Sequence, residues 1–399
     1  MVPKILFELE SKFGSTYGEE EQAAMMRVLR ENAPTSGDHC IAFERAFAEY
    51  CGTAHARVVS NGTAALFLAL LGAGVGPGDR VLTTPLTWIA TAAAGVTLGA
   101  EVDFVDIDPD TYNMDPARLA EKITPNTKAV LPVHLYGQCC DMDAILGLAR
   151  KHGFAVIEDA CHAVGAEHKG RKAGSMGAAG CFSFHEQKNM STLGEGGVIT
   201  TSDPELFERA ALYRSHCTRV YGKSTKYCSL DEAKLPMGKR FWWQDFDDCG
   251  YNFRMTDMQA AVGIVQLAKL DALNARRAEV TAQIQEGLAG VPGLKLPKAR
   301  PENKHVWHLC PMEIDAAAFG MGKDDFVYAM REEHGVRIGT HYIPLHWTTA
   351  FQKRGFRRGQ FPVADAAAER LVTLPIHPRL TDEGIAHLVS SIKALCRRG

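Results

Sequence analysis

The chain has 399 residues, with 44 Lys and Arg against 47 Asp and Glu and a formal net charge of −3. Its basic residues form no block and no apolar run reaches membrane-spanning length, so neither a nucleic acid nor a membrane is expected as a partner. With 46 % hydrophobic residues the chain can bury a large core. Its eleven cysteines, an odd number with no C-x-x-C pair, fit reduced thiols, and the opening MVPKILFELESKFG lacks a signal-peptide apolar core, so a cytoplasmic location is expected.

In chain order, EEEQAAMMRVLRENAP reads as an amphipathic helix expected to pack on the C-terminal lobe or on a partner. HARVVSNGTAALFLALLGAG, residues 55–74, reads as a short β-branched strand, a turn and an apolar helix. Ser60 or Asn61 can cap that helix, and its first free N–H groups would suit a phosphate. Trp88 follows the strand-like VLTTP, where its ring could stack on a ligand or pack behind a helix. From about 57 to 197 short strands (VVS, RVLTTP, EVDFVDI, AVLPVHLYG, AVIED, GCFSF, GGVITT) alternate with alanine- and leucine-rich helical stretches. This predicts an α/β fold with a large, mostly parallel sheet.

The apolar run Ala155-Val156-Ile157 ends in Glu158-Asp159, and Lys188 lies 29 residues beyond Asp159, just before the glycine-rich turn GEGG. That turn lacks the strand-to-helix context of a dinucleotide fingerprint. A lysine amine can form a Schiff base with a cofactor aldehyde, and a carboxylate at a strand's C-terminal end can keep a pyridine nitrogen protonated. Lys188 could also act as general base once displaced. The pattern points to pyridoxal 5′-phosphate (PLP), with Lys188 and Asp159 as catalytic residues and Ser183 as a further phosphate hydroxyl. Cys139-Cys140 with His134 has poor ligand spacing, so no metal is expected.

The segment from Thr218 to Asp248 breaks the periodic pattern. Its Tyr221, Trp242 and Trp243 could stack on a base and its Lys239 and Arg240 could neutralise a diphosphate; the alternative is a flap packed on a neighbouring subunit. GTHYIPLH, with His341, Tyr342 and His346, is a second candidate substrate surface, and His185 and Glu195 flanking Lys188 are grouped with it. His305 and His308 read as core or dimer histidines. A long helical stretch runs from Met258 through ARRAEVTAQIQEGLAG. The expected division is a large cofactor-binding domain with an N-terminal helical arm over 1–260 and a small α+β domain over 261–399.

FERAFAEYCGTAHARVVSNGTAALFLAL, PLTWIATAAAGVTLGAEVDFVDIDPDTYNMDP, AVLPVHLYGQCCDMDAI, IEDACHAVGA, SFHEQKNMSTLGEGG, GYNFRMTDMQAAVGIVQL, THYIPLH and FPVADAAAERLVTLPIHP occur in this order. Together they resemble the DegT/DnrJ/EryC1/StrS family of sugar aminotransferases, fold type I PLP enzymes. The resemblance implies that Gly62, Thr63 and Ser183 hold the cofactor phosphate, Trp88 stacks on its ring and Asp159 pairs with its nitrogen. It further implies that His162 lies near the ring and its phenolic oxygen, and that Lys188 is the Schiff-base lysine. Asn252, in the GYN(F/Y)R motif, would reach the phosphate of a neighbouring subunit, implying a homodimer with shared active sites. Because position 188 is lysine rather than the histidine of sugar 3-dehydratase relatives, transamination is favoured. The implied reaction aminates a keto-sugar, expected to be nucleotide-linked, or a ketocyclitol, with glutamate or glutamine as donor. The alternatives are a sugar dehydratase, an aminohydroxybenzoate-type synthase, or a regulatory or sensing relative.

Overall fold

The structure, a computed structural model, describes residues 14–31, 35–218 and 246–396. All seven segments expected as strands lie in one sheet: β1 (His55–Val59), β2 (Arg80–Thr83), β3 (Glu101–Phe104), β4 (Thr127–Leu131), β5 (Ala155–Asp159), β8 (Ala179–Ser183) and β9 (Gly197–Thr201). Their order is β1-β9-β8-β5-β4-β2-β3, and β9 alone runs against the others. A sheet of this kind needs helices on both faces, which explains why the central strands carry unbroken apolar runs, Ala129-Val130-Leu131 in β4 and Ala155-Val156-Ile157 in β5. The short strands β6 (Glu167–His168) and β7 (Arg171–Lys172) lie between β5 and β8 in the chain.

Helix α1 spans Glu19–Glu31 and α2 spans Asp38–Cys51. Helix α3 (Gly62–Gly72) is apolar around nearly its whole circumference and is accordingly buried, as a helix enclosed within the fold must be. Helices α4 (Ile89–Thr97), α5 (Pro116–Lys122), α6 (Met142–His152) and α7 (Pro204–Arg214) complete the layers around the sheet. One face is filled by Leu66, Leu68, Phe104, Leu131 and Ile157, and the other by Phe43, Phe47, Phe182 and Phe184.

The long helical stretch is a single helix, α8 (Asp257–Leu288), 32 residues opened by a capping box between Thr256 and Gln259. The division expected at 260/261 falls near its start. Ala260 and Leu270 belong to a core on the large sheet, whereas Val280, Ile284 and Leu288 belong to a separate core. That second core surrounds a small antiparallel sheet of β10 (Leu294–Lys295), β12 (Cys310–Ile314) and β13 (Leu371–Leu374), with β11 (Asn303–Lys304) pairing back to β6. Helices α9 (Ala316–Phe319), α10 (Lys323–Glu332), α11 (Thr349–Gln352), α12 (Pro362–Arg370) and α13 (Asp382–Cys396) accompany it. Helix α1 lies on the first half of α8 rather than on this small core: Ala24 and Val28 pack on Ala261, and Lys269 pairs with Glu21 at 2.8 Å.

Candidate active site

At the end of β5 two adjacent carboxylates face opposite ways, as alternation along a strand requires. Glu158 is fully enclosed. It accepts the backbone N–H groups of Gly174 (2.8 Å), Met176 (2.7 Å) and Gly177 (2.6 Å) and bonds Nε2 of His134 at 2.9 Å. The other His134 nitrogen accepts the N–H of Cys140, and the Cys140 thiol donates to the Val133 carbonyl, so these residues are occupied in holding the strand end. Asp159 faces a cavity. Its Oδ2 accepts from Thr91 Oγ1 at 2.7 Å and its Oδ1 from the Cys161 N–H at 3.1 Å.

Next to it, Asn61 rather than Ser60 caps α3, its Oδ1 accepting from the N–H of Ala64 at 2.9 Å. The N–H groups of Gly62 and Thr63 lie in the first turn, where no intrahelical carbonyl is available to them. Gly62 sits so close to β8 that an added Cβ would stand 2.7 Å from Ser183 Cβ. The helix N-terminus and the Ser183 hydroxyl therefore form one polar cradle.

Lys188 reaches the same cavity from the loop after β8. Burial depresses its pKa, opposed by the nearby Cys161, Asp159 and Glu195. No described side chain hydrogen-bonds its amine, so the amine releases its proton to become nucleophilic more readily than an exposed lysine does. His162 lies across from it, with Nε2 3.1 Å from the Tyr342 hydroxyl. Burial, reinforced by Lys188 and His341, holds its pKa well below the ordinary range, so the ring is neutral. Trp88 is 62 % exposed, which excludes a core-packing role, and its ring centroid is 6.1 Å from that of Tyr342.

One cavity of about 950 Å³ is lined by Gly62, Thr63, Trp88, Asp159, His162, Ser183, His185, Lys188, Glu195, His341 and Tyr342. Asn252 is exposed and does not line it, although its neighbours Tyr251 and Phe253 do. His346 does not contribute either; it is buried and bonds Asp365 at 2.7 Å. Lys239, Arg240, Tyr221, Trp242 and Trp243 lie outside the described residues. Thr91, Cys161, Arg277, His308 and Arg337 also line the cavity, and none of them was assigned to the site from the sequence. Thr91 and Cys161 had a usable signal, since they follow Trp88 and Asp159 by three and two positions. Arg277 and His308 had none.

The sequence profile of the DegT/DnrJ/EryC1/StrS aminotransferase family matches residues 15–393. The spore coat polysaccharide biosynthesis protein SpsC of Bacillus subtilis is 37 % identical over 95 % of each chain. The dTDP-3-amino-3,4,6-trideoxy-alpha-D-glucose transaminase of Streptomyces venezuelae is 36 % identical over 95 % of this chain and 93 % of its own. The crystal structure of S. venezuelae DesV, in complex with a ketimine intermediate, superimposes with a TM-score of 0.85 at 36 % identity, covering 96 % of this chain and 95 % of that one. The chain belongs to the DegT/DnrJ/EryC1/StrS family and is a PLP-dependent transaminase of the sugar aminotransferase type.

Proposed function

We propose that this chain uses PLP to aminate a nucleotide-linked keto-sugar, with glutamate or glutamine as amino donor. The carrying observation is the convergence of Lys188, Asp159 and the Gly62–Ser183 cradle on one cavity. The residues fit the cofactor in two further respects. The cradle has room for phosphate oxygens only because position 62 has no side chain, and His162 Nδ1 is enclosed without a hydrogen-bond partner among the described residues, which a phenolic oxygen would supply.

When bound, the cofactor supplies an aldehyde to receive the amino group and a ring to delocalise charge. The chain's own residues do the rest. Asp159, fixed by Thr91 and Cys161, presents a carboxylate to the ring nitrogen. Lys188 serves first as the attachment amine and then as the base that moves a proton at the substrate carbon. His162, neutral and braced by Tyr342, orients the ring, and Trp88 covers it.

Several features support the substrate reading. The cavity exceeds what a cofactor ring alone fills, and the 36 % identical S. venezuelae relative is by its description a transaminase of a dTDP-linked sugar. Lys239 and Arg240 are suited by chemistry to a diphosphate, and Asn252, outside its own chain's cavity, is suited to completing a partner's site in a homodimer. The deciding experiment follows transfer from glutamate and glutamine to nucleotide-linked keto-sugars and to free ketocyclitols. Removing both Lys239 and Arg240 should raise KM for the nucleotide-linked acceptor far more than for the donor. Efficient use of a ketocyclitol with no nucleotide-sugar activity overturns the substrate reading. Failure to convert any amino donor to its keto acid would favour the sensing alternative.

A further inference from the structure

His308 is a cavity-lining histidine whose protonated nitrogen the geometry identifies. Asn189, next to Lys188 in the chain, places Nδ2 2.9 Å from the Val306 carbonyl and 2.8 Å from Asn274 Oδ1. A backbone carbonyl only accepts, so that atom is the amide nitrogen, and the Asn189 oxygen is the one facing His308 Nδ1 at 3.1 Å. His308 therefore donates from Nδ1, and Nε2 carries the lone pair. Among the described residues Nε2 has no hydrogen-bond partner and is not one of the enclosed unpaired polar atoms, which leaves this lone pair to the cavity that His308 lines.

The ring is held from several directions. It lies 4.3 Å from the His162 ring, centroid to centroid. The Arg277 guanidinium, fully buried, donates to the carbonyls of Trp307 (3.2 Å), His308 (3.3 Å) and Ile376 (3.3 Å), and the His308 N–H donates to the Tyr136 carbonyl at 2.9 Å. The ring is also kept uncharged, since burial and the neighbouring His162, Lys188, Arg277 and His341 all oppose protonation. The cavity thus contains a fixed, neutral hydrogen-bond acceptor. Several other acceptors along its wall are engaged: both Asp159 oxygens receive donors, the Tyr342 hydroxyl meets His162, and His341 Nδ1 meets Thr373 at 2.7 Å, whereas the Glu195 carboxylate is exposed and charged.

A lone pair in this position repels the carboxylate of an amino donor. It suits a hydroxyl. We propose that His308 is a specificity-determining residue for the sugar half-reaction, its Nε2 taking a hydrogen bond from a hydroxyl of the keto-sugar beside the reacting carbonyl. This inference rests on the keto-sugar reading of the site.

Two substitutions separate the two ends of the ring. His308→Gln places an amide oxygen near the Nε2 position, whereas His308→Asn keeps only the donor to Asn189. With each variant saturated with PLP and its cofactor content measured by absorbance, the donor and sugar half-reactions are followed separately in single turnovers. His308→Asn should leave the donor half-reaction within about twofold and weaken the sugar half-reaction by roughly 10- to 100-fold, with His308→Gln recovering most of that loss. Equal losses in both halves, loss in the donor half alone, or an Asn variant as active as the Gln variant would overturn the assignment. A wild-type enzyme that completes the donor half-reaction but discharges to no keto-sugar overturns the underlying reading, and this inference with it.

Discussion

Thr91 Oγ1 donates to Asp159 Oδ2 at 2.7 Å from the first turn of α4, the helix that Trp88 caps. The proposed roles of Trp88 over the cofactor ring and of Asp159 at its nitrogen are thus linked through one turn of helix. Thr91→Val, close to isosteric, would leave a buried carboxylate oxygen without its side-chain donor, at a cost of about 1.5–3 kcal/mol. Cofactor affinity or kcat should fall roughly 10- to 100-fold, and Thr91→Ser should restore it; an unchanged Thr91→Val enzyme would show that the bond is dispensable.

Lys188→Met should abolish transamination, and borohydride reduction of the wild-type holoenzyme should leave the pyridoxyl group on Lys188. The same variant makes a stability prediction. Burial depresses the folded pKa of Lys188, so the unfolded chain holds the extra proton and apo-protein stability rises with pH up to the ordinary lysine value of about 10.4. Apo Lys188→Met should therefore melt above apo wild type at neutral pH, with the gap closing at strongly alkaline pH.

Gly62→Ala puts a methyl group 2.7 Å from Ser183 Cβ. Relief requires the helix start to move away from β8, at a cost of roughly 1–3 kcal/mol. We expect PLP dissociation to rise at least about tenfold while the large-sheet core stays folded, measured by equilibrium dialysis alongside circular dichroism. Unaltered cofactor affinity would place the phosphate elsewhere.

His305 stacks on Trp307 at 3.7 Å and accepts that residue's N–H on Nδ1, and burial lowers its pKa to about 3. Its depressed folded value means the unfolded state takes up the proton first, so stability falls as pH drops from about 6.5 towards that value. Chemical denaturation at pH 7 and pH 5 should show the loss, and His305→Asn should flatten the slope. Identical slopes would remove His305 from the acid response.

Mixing inactive Lys188→Ala with a defective Asn252→Ala variant should restore part of the activity, because a hybrid dimer retains one site with both residues intact. A stable monomer with full cofactor affinity rules this out.

Asp159, Lys188 and the Gly62 turn could be read from the sequence because each lies within a few residues of the strand end or helix start that positions it. His308 could not. Its tautomer is set by Asn189, 119 residues away, and its backbone by Arg277 and Tyr136, contacts that exist only after the two cores meet. Either Ser60 or Asn61 could have capped α3, and the choice followed from the backbone path, since the Ser60 N–H is drawn to the Phe253 carbonyl at 2.8 Å. His346 was misplaced for a related reason: the motif identifies the segment, but its twist decides which side chains face inward.

Helix α8, about 48 Å long at 1.5 Å per residue, carries Gln259 in its first turn and Arg277 about two-thirds of the way along, without an intervening proline. Both cores are bolted to the same rod, so this crossing contains no joint at which the small core could swing freely. The separation between the wall bearing Trp88 and Asp159 and the wall bearing His341 and Tyr342 is therefore gauged by a rigid spacer. Ligands of different girth must be accommodated by side chains and loops at the rim rather than by wholesale opening of the two halves.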